Sequence, residues 1–163
     1  MNYTFFKIGR AICRAIILVF GGTTIVGREN IPQKGGVIIC ANHISYMDPP
    51  VLGSAANRPV CFMAKSELFE IPILGKLIHW VRAFPVKRGT ADRTALKRAI
   101  EILNSGEVVA MFPEGRRSLD GNLLEPEAGA GLIVMRADAA IIPCALIDTN
   151  KMLPPHSAFL HFA

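Results

Sequence analysis

A histidine and an aspartate five residues apart, His43 and Asp48, follow a strongly apolar run at residues 36–41. Such a run is typical of a strand buried in a parallel sheet, so both side chains are expected just beyond a strand's end. On an ideal helix they would lie about 140° apart, so they can meet only across a turn. The junction between Asp48 and Pro49 favours that turn. If Asp48 accepts the Nδ1–H of the imidazole, Nε2 stays free to take a proton from a hydroxyl group, as a general base does.

Simpler interpretations of the two residues remain open. Asp48 stands where the N-cap of a helix beginning at Pro49 is expected. His43 could be a hydrogen-bonded histidine at a strand end. The capping and orienting roles of Asp48 are compatible with each other.

Two basic pairs follow other short apolar runs. Arg116 and Arg117 come after residues 108–111 and a turn at residues 113–115, and Lys87-Arg88 comes after a third run. The carboxyl ends of parallel strands meet at one edge of a sheet, where ligands bind. Because guanidinium groups grip phosphate through paired hydrogen bonds, the pairs predict a phosphate site, with solvated surface arginines as the alternative.

Several catalytic patterns are missing from the sequence. There is no GxSxG elbow, no P-loop and no GxGxxG fingerprint, and neither the other histidines nor the four cysteines have metal-ligand spacing. A base without a protein nucleophile suggests that a substrate hydroxyl attacks directly.

The composition points to a lipid surface. The 163 residues are 51% hydrophobic and carry a formal net charge of +5. Positive charge suits anionic partners, and one tryptophan and two tyrosines are too few for a nucleic-acid stacking platform. No nucleic-acid partner is therefore expected. We interpret the cysteines as reduced and the compartment as facing the cytosol.

Residues 3–20 form the most membrane-like stretch. Lys7, Arg10 and Arg14 interrupt its apolar residues at helical spacing and would form one basic stripe. This pattern favours an in-plane helix at the membrane interface, and a spanning or re-entrant segment and a cleaved signal remain alternatives. We expect a membrane-associating helix at residues 1–25, a second domain at residues 26–163 whose C-terminus is incomplete, and a location on the cytoplasmic face of a membrane.

The remaining sequence alternates between strand and helix patterns. It predicts an α/β fold with a mixed, largely parallel sheet covered by helices on both faces. An edge strand and turn are expected at residues 26–32 and a further strand from residue 159. The other predicted strands are 37–41, 60–64, 83–86, 108–112 and 141–147, and the helices are 49–56, 67–80 with a break at Pro72, 92–103 and 129–137.

Four blocks together resemble the 1-acyl-sn-glycerol-3-phosphate acyltransferases, within the glycerolipid acyltransferases. Residues 42–48 match NHxSxxD, and residues 112–118 match FPEGTRS except at Arg116. Residues 84–88 and 141–144 resemble the second and fourth blocks of that family. The resemblance covers residues 26–147, and the order and spacing of the four blocks make it specific.

The resemblance implies transfer of a fatty acyl group from acyl-CoA or acyl carrier protein to the sn-2 hydroxyl of 1-acylglycerol-3-phosphate, giving phosphatidic acid. It implies no metal and no bound cofactor. His43 would be the general base and Asp48 its orienter. The implied substrate-binding residues are Arg88, Glu114, Gly115, Arg117, Ser118 and Pro143, with Arg117 the stronger phosphate contact and Pro143 on the acyl side.

Two departures from the family pattern keep other acceptors open. Arg116 stands in place of threonine, and residues 126–129 lack a lysine that often precedes the glycine. The alternatives are an acyltransferase acting on another lysolipid or an aminolipid, and a lipid-binding protein without catalysis.

Overall fold

The computed structural model describes residues 3–89, 92–154, 156–157 and 159–162. Within these residues five strands form one sheet in the order β3-β2-β4-β1-β5, and every pairing is parallel. The strands are β1 (Gly36–Ala41), β2 (Val60–Lys65), β3 (Phe84–Val86), β4 (Val108–Met111) and β5 (Ala139–Cys144). The helices are α1 (Tyr3–Val19), α2 (Asp48–Ala55), α3 (Pro72–Trp80), α4 (Arg93–Asn104), α5 (Ala128–Arg136) and α6 (Thr149–Met152).

Helices cover both faces of the sheet, as the sequence predicts. Alternate residues of a strand point to opposite faces, so Val37 and Ile39 enter one apolar cluster and Ile38 enters another. The first cluster includes Ile17 of α1, together with α2 and α3 residues, and the second is built with α4 and α5. The α/β prediction is confirmed, and the described sheet, predicted to be mixed and largely parallel, is parallel throughout.

The strand order brings the two predicted site segments together. β1 and β4 are neighbours, and Cys40 near the end of β1 pairs with Met111 at the end of β4. The segments that follow them, residues 42–48 and 112–118, therefore leave the sheet side by side at its carboxyl edge.

Helix α1 lies on the α2 side of the sheet. Ile17 is buried in the first apolar cluster, and Arg10 donates from Nη1 to the Ala56 carbonyl at 3.2 Å. Ile8 and Ile12 are about half exposed, at 50% and 55%. In the described part of the chain, no helix combines the length and apolar character needed to cross a bilayer. The interfacial placement of α1 stays a prediction.

Three local expectations are wrong. Residues 26–32 hold a 3-10 helix at Arg28–Asn30 and no strand, because Gly27 has a left-handed backbone (φ 76°) that turns the chain out of extended geometry. β5 begins at Ala139 and ends at Cys144, earlier than the predicted 141–147. No strand forms in the described residues 159–162, and the short helix α6 was not predicted.

Candidate active site

His43 and Asp48 meet across a turn between β1 and α2. The imidazole Nδ1 lies 2.7 Å from Asp48 Oδ2, with His43 6% exposed and Asp48 fully buried. Because an ionised carboxylate only accepts hydrogen bonds, Nδ1 carries the proton in this pair. Nε2 is then the nitrogen that can accept a proton from a substrate. The geometry is that of a base and its orienting carboxylate.

The carboxylate of Asp48 also organises the turn. Its Oδ2 accepts from the backbone N–H of Ile44 at 2.7 Å and of Ser45 at 2.8 Å. α2 begins at Asp48 itself with Met47 at the N-cap, and the hydrogen bonds of the Asp48 carboxylate go to His43, Ile44, Ser45 and Thr149. Asp48 therefore holds the loop that carries His43, and the N-cap interpretation does not describe its contacts.

A distant threonine completes the surroundings of Asp48. The hydroxyl of Thr149, at the start of α6, donates to Oδ1 of Asp48 and is buried. The segment just before α6 is itself held to the turn, since the Asn42 amide donates to the Leu146 carbonyl at 2.9 Å and accepts from its N–H at 2.7 Å. Ser45 Oγ donates to the Leu153 carbonyl at 3.0 Å. The chain from residue 146 to residue 153 thus buttresses the His43 loop.

The segment after β4 fixes His43 from the other side. The Phe112 ring stacks on the imidazole, with centroids 4.1 Å apart and an interplanar angle of 18°. The His43 N–H donates to Glu114 Oε1 at 3.2 Å, and its carbonyl accepts from the Ser118 N–H at 2.7 Å. The ring and both backbone polar groups of His43 are therefore positioned by one loop.

Glu114 and Gly115 occupy structural positions in that loop. The second oxygen of Glu114 accepts from the Leu124 N–H at 3.2 Å, and the side chain is only 6% exposed. Gly115 has φ 66°, and a Cβ there would lie 2.8 Å from Glu127 Cγ. Both oxygens of the Glu114 carboxylate thus accept hydrogen bonds from backbone N–H groups of the protein, those of His43 and Leu124. The substrate-binding role of both residues stays a prediction.

A cavity of about 650 Å³ opens beside His43. Its wall carries three arginines, one lysine and several apolar side chains. The residues that line it include His43, Tyr46, Lys65, Leu68, Arg88, Phe112, Arg116, Arg117 and Ser118. The base predicted from residues 42–48 and the cations predicted from two other segments therefore face one space.

Two of these arginines are suited to an anion. The guanidinium carbon of Arg117 lies 3.5 Å from the Tyr46 ring centroid, and its buried Nη1 has no hydrogen-bond partner among the described residues. Partial burial lowers the pKa of Arg88, a shift that nearby Glu67 opposes and nearby Arg117 adds to. A bound phosphate would accept a hydrogen bond from the unsatisfied Nη1 of Arg117. Its negative charge would also offset the repulsion between the two guanidinium groups.

The last two predicted residues differ in their placement. The Ser118 hydroxyl is 2% exposed, lies at the cavity wall and donates to Asp120 Oδ1 at 2.8 Å. The hydrogen bonds from Asn122, together with this one from Ser118, lower the pKa of Asp120 to about 2. Pro143, on β5, pairs with Cys40 of β1 and is exposed, and it is not among the residues that line the cavity. Ser118 therefore lies at the cavity wall, and the acyl-side role of Pro143 stays a prediction.

A second cavity of about 450 Å³ adjoins the first. Both are lined by Met63, Arg88 and Phe112. The rest of the second wall is mainly apolar and lies between β4, α4 and the start of α5; it includes Val86, Leu96, Met111, Gly129, Ala130, Leu132 and Ile133. A long apolar group could extend into it from the space beside His43.

Sequence reasoning did not single out several residues that surround the base. Thr149 contacts Asp48 across 101 positions of sequence, and no local pattern announces such a contact. Asn42 and Tyr46 lie within the segment that was recognised, but their roles depend on partners elsewhere in the chain. The sequence predicts Phe112 as the last residue of the strand at 108–112, and only the fold shows that its ring stacks on His43.

The chain is similar to several proteins named as 1-acyl-sn-glycerol-3-phosphate acyltransferases. It is 31% identical over 133 residues to the 1-acyl-sn-glycerol-3-phosphate acyltransferase of Bacillus subtilis strain 168, covering 81% of this chain and 66% of that protein. It is 33% identical over 144 residues to a chloroplastic 1-acyl-sn-glycerol-3-phosphate acyltransferase of Arabidopsis thaliana, covering 86% of this chain and 40% of the relative. These two comparisons match at most 66% of a relative's length.

The fold and the family agree with these matches. The crystal structure of the 1-acyl-sn-glycerophosphate acyltransferase of Thermotoga maritima superposes with a TM-score of 0.79 at 28% identity, over 96% of this chain and 63% of that one. The family model described as Acyltransferase matches residues 22–147, which include His43, Asp48 and all of the cavity-lining arginines. The chain belongs to the acyltransferase family.

Proposed function

We propose that this protein transfers a fatty acyl group from a thioester to the sn-2 hydroxyl of 1-acylglycerol-3-phosphate, giving phosphatidic acid. The observation that carries the proposal is that His43, whose imidazole is held by Asp48, lines one cavity together with Arg88 and Arg117. The names of the similar enzymes support the same acceptor.

The chemistry follows from the geometry of the base. Nε2 of His43 takes the proton of the acceptor hydroxyl as its oxygen bonds to the thioester carbonyl carbon. Asp48 stabilises the imidazolium that forms. When the tetrahedral intermediate collapses, the carbon–sulfur bond breaks and the thiolate takes the proton back from His43. An ester and a free thiol result, and no protein nucleophile is used.

The binding groups divide between the two cavities. Arg117, with an unsatisfied Nη1, and Arg88 would hold the acceptor phosphate. The apolar second cavity would take a fatty acyl chain, because it joins the first at Met63 and Phe112. Acyl-CoA and acyl carrier protein offer the same thioester, and either suits this arrangement.

The acceptor is a lipid, and we propose that the protein works at a membrane surface on its cytoplasmic side. The exposed Ile8 and Ile12 of α1 support this placement. Lys7 and Arg14 are also exposed, and could contact anionic headgroups.

The test is an assay of thiol release. Purified protein in detergent is given oleoyl-CoA and lysophosphatidate, and free thiol is followed alongside the His43→Ala variant. We expect release that needs lysophosphatidate and falls about 10²–10⁴-fold in His43→Ala, the usual worth of a general base. Equal turnover in the variant would eliminate His43 as the base.

Arg116 is the reason to consider a second acceptor, a lysolipid other than lysophosphatidate or an aminolipid. Its exposed side chain adds a third guanidinium to the cavity wall, beside the two proposed phosphate ligands. A panel of lysophospholipids and an aminolipid, tested with acyl-CoA and with acyl carrier protein, would identify the acceptor and donor. Faster turnover of another lysolipid would mean that this lipid is the acceptor, and the role of His43 as the base would not change.

A further inference from the structure

Helix α3 presents an apolar stripe to solvent. Ile73, Leu77 and Trp80 follow each other at helical spacing and are 84%, 55% and 71% exposed. Ile71, just before the helix, is 47% exposed. A surface helix usually turns its large apolar residues to the core, so this stripe requires a partner of apolar character.

The polar residues of α3 indicate what that partner is. The helix has no acidic residue, and the exposed Lys76 lies on the border of the stripe. Trp80 ends the helix with a ring that is apolar in body and carries one N–H donor, a side chain enriched at membrane–water interfaces. An apolar stripe with a basic border is the pattern of a helix lying flat in an anionic membrane surface.

α3 is fixed to the wall of the active-site cavity. A Cβ on Gly75 would lie 2.3 Å from the Phe69 carbonyl oxygen, so only glycine permits the contact between α3 and the 3-10 helix at Ser66–Glu70. Leu68 of that 3-10 helix lines the cavity beside His43. The helix that carries the stripe is therefore packed directly against an element of the cavity wall.

The stripe also lies on the same side of the sheet as α1. Ile78 of α3 packs against the apolar cluster that contains Ile17 of α1 and Val51 of α2. The exposed Ile8 and Ile12 of α1 belong to the same layer of the fold. Two helices on one face of the sheet thus expose apolar stripes.

We propose that α3 is a second membrane contact, which lies in the headgroup region of an anionic bilayer and holds the cavity wall at Leu68 close to the lipid substrates. This inference rests on the proposed function, because a membrane-resident acceptor explains why the cavity would be held there. A second copy of the chain is the competing occupant of the stripe.

Trp80 is the only tryptophan in the sequence and therefore reports on α3 directly. The full chain is mixed with vesicles of phosphatidylcholine and phosphatidylglycerol, and emission and acrylamide quenching are measured. We expect a blue shift, protection from acrylamide, and quenching by brominated lipid. Vesicle-bound protein with unchanged emission, or no binding at all, would overturn the proposal. So would a blue shift that depends on protein concentration without vesicles, since it would assign the stripe to a second copy.

A matched pair of variants tests the stripe itself. Ile73→Glu places an acidic residue in the first turn of α3, which a helix tolerates well. Met135→Glu places one in the last turn of α5, at a 78% exposed position on the opposite face of the sheet. We expect Ile73→Glu to weaken partitioning onto vesicles about tenfold to a hundredfold, the worth of one buried apolar side chain, and Met135→Glu to change it less than about twofold. Equal effects of the two variants would refute the assignment.

Activity separates this inference from the proposed function. Ile73→Glu should keep wild-type thiol release with short-chain substrates dispersed as monomers, and lose it with lysophosphatidate embedded in vesicles. If the wild type releases no thiol in either format while Trp80 still responds to vesicles, the acyltransferase proposal fails and the membrane contact stands. If Ile73→Glu acts on vesicles like the wild type, the membrane contact fails and the acyltransferase proposal stands.

Discussion

Asp48 is the residue on which the geometry of the base depends. Its buried carboxylate accepts from His43, from the backbone N–H groups of Ile44 and Ser45, and from the Thr149 hydroxyl. Three of these donors lie within the same turn, and the fourth comes from α6. The orientation of the imidazole is therefore coupled to a segment more than 100 residues away.

Replacing Thr149 tests that coupling. Thr149→Val keeps the shape but removes the donor to Asp48, leaving a buried carboxylate oxygen without its partner, so we expect the free energy of unfolding to fall by about 1–3 kcal/mol. Turnover should fall too, by less than in His43→Ala. Thr149→Ser keeps the hydroxyl and should stay close to the wild type in both. Urea unfolding measures the stability and thiol release measures the turnover. Equal values for Thr149→Val and Thr149→Ser would show that the Thr149 hydroxyl does not support Asp48.

At the residue scale, what could be predicted depended on sequence distance. The contact between His43 and Asp48 spans five residues, so turn chemistry alone was enough to propose it. The position of Arg88 and Arg117 near the base required only that parallel strands end at one edge. The amide bridges of Asn42 and the bond from Thr149 depend on how residues 146–153 pack, which no local pattern specifies.

At the scale of elements, the pattern of apolar residues predicts the long strands and helices well, whereas it does not predict the short irregular segments. Strand β1 and helix α4 lie within one residue of their predicted bounds, because continuous apolar runs and an amphipathic face are strong signals. The apolar Leu146 and Ile147 predict that β5 continues to residue 147, whereas the strand ends at Cys144. In the fold, Asn42 binds both backbone polar groups of Leu146, which removes that residue from the ladder.

The start of α4 gives a pH-dependent prediction. Asp92 caps the helix, accepting from the N–H groups of Ala95 at 3.0 Å and Lys87 at 2.9 Å. The bond from the Lys87 N–H, followed by that from Ala95, lowers the pKa of Asp92 below its ordinary value of 3.8. A lowered carboxylate pKa contributes stability above the ordinary value, and that contribution is lost as pH falls through the folded-state value.

Asp92→Asn isolates this effect, because asparagine also caps helices but does not titrate. We expect the stability of the wild type relative to Asp92→Asn to be greatest near neutral pH and to decline as pH is lowered from about 5 to about 3. Urea unfolding at several pH values measures the difference. A difference that stays constant over this range would mean that the carboxylate charge adds nothing to the cap.

At the scale of the whole molecule, charge and apolar surface combine. The chain carries a formal net charge of +5, and the two helices with exposed apolar stripes also expose Lys7, Arg14 and Lys76. Each cation near an anionic bilayer is worth about 1 kcal/mol, and the apolar stripes add a contribution that does not depend on lipid charge. Binding should therefore consist of a part that salt screens and a part that it does not.

This division makes a quantitative prediction for vesicle binding. Raising salt from about 0.1 M to about 1 M shortens the screening length from about 10 Å to about 3 Å, so partitioning onto phosphatidylglycerol-containing vesicles should fall about tenfold to a hundredfold for three cations. Binding to pure phosphatidylcholine should change little.

Lys76→Gln should weaken binding to the anionic vesicles about fivefold at low salt, whereas Lys97→Gln, which replaces an 81% exposed lysine on α4, should leave it unchanged. Sedimentation with vesicles measures all four quantities. Equal losses in the two lysine variants would show that the net charge attracts the protein without orienting it, whereas a loss confined to Lys76 would place the α1–α3 side of the sheet against the lipid.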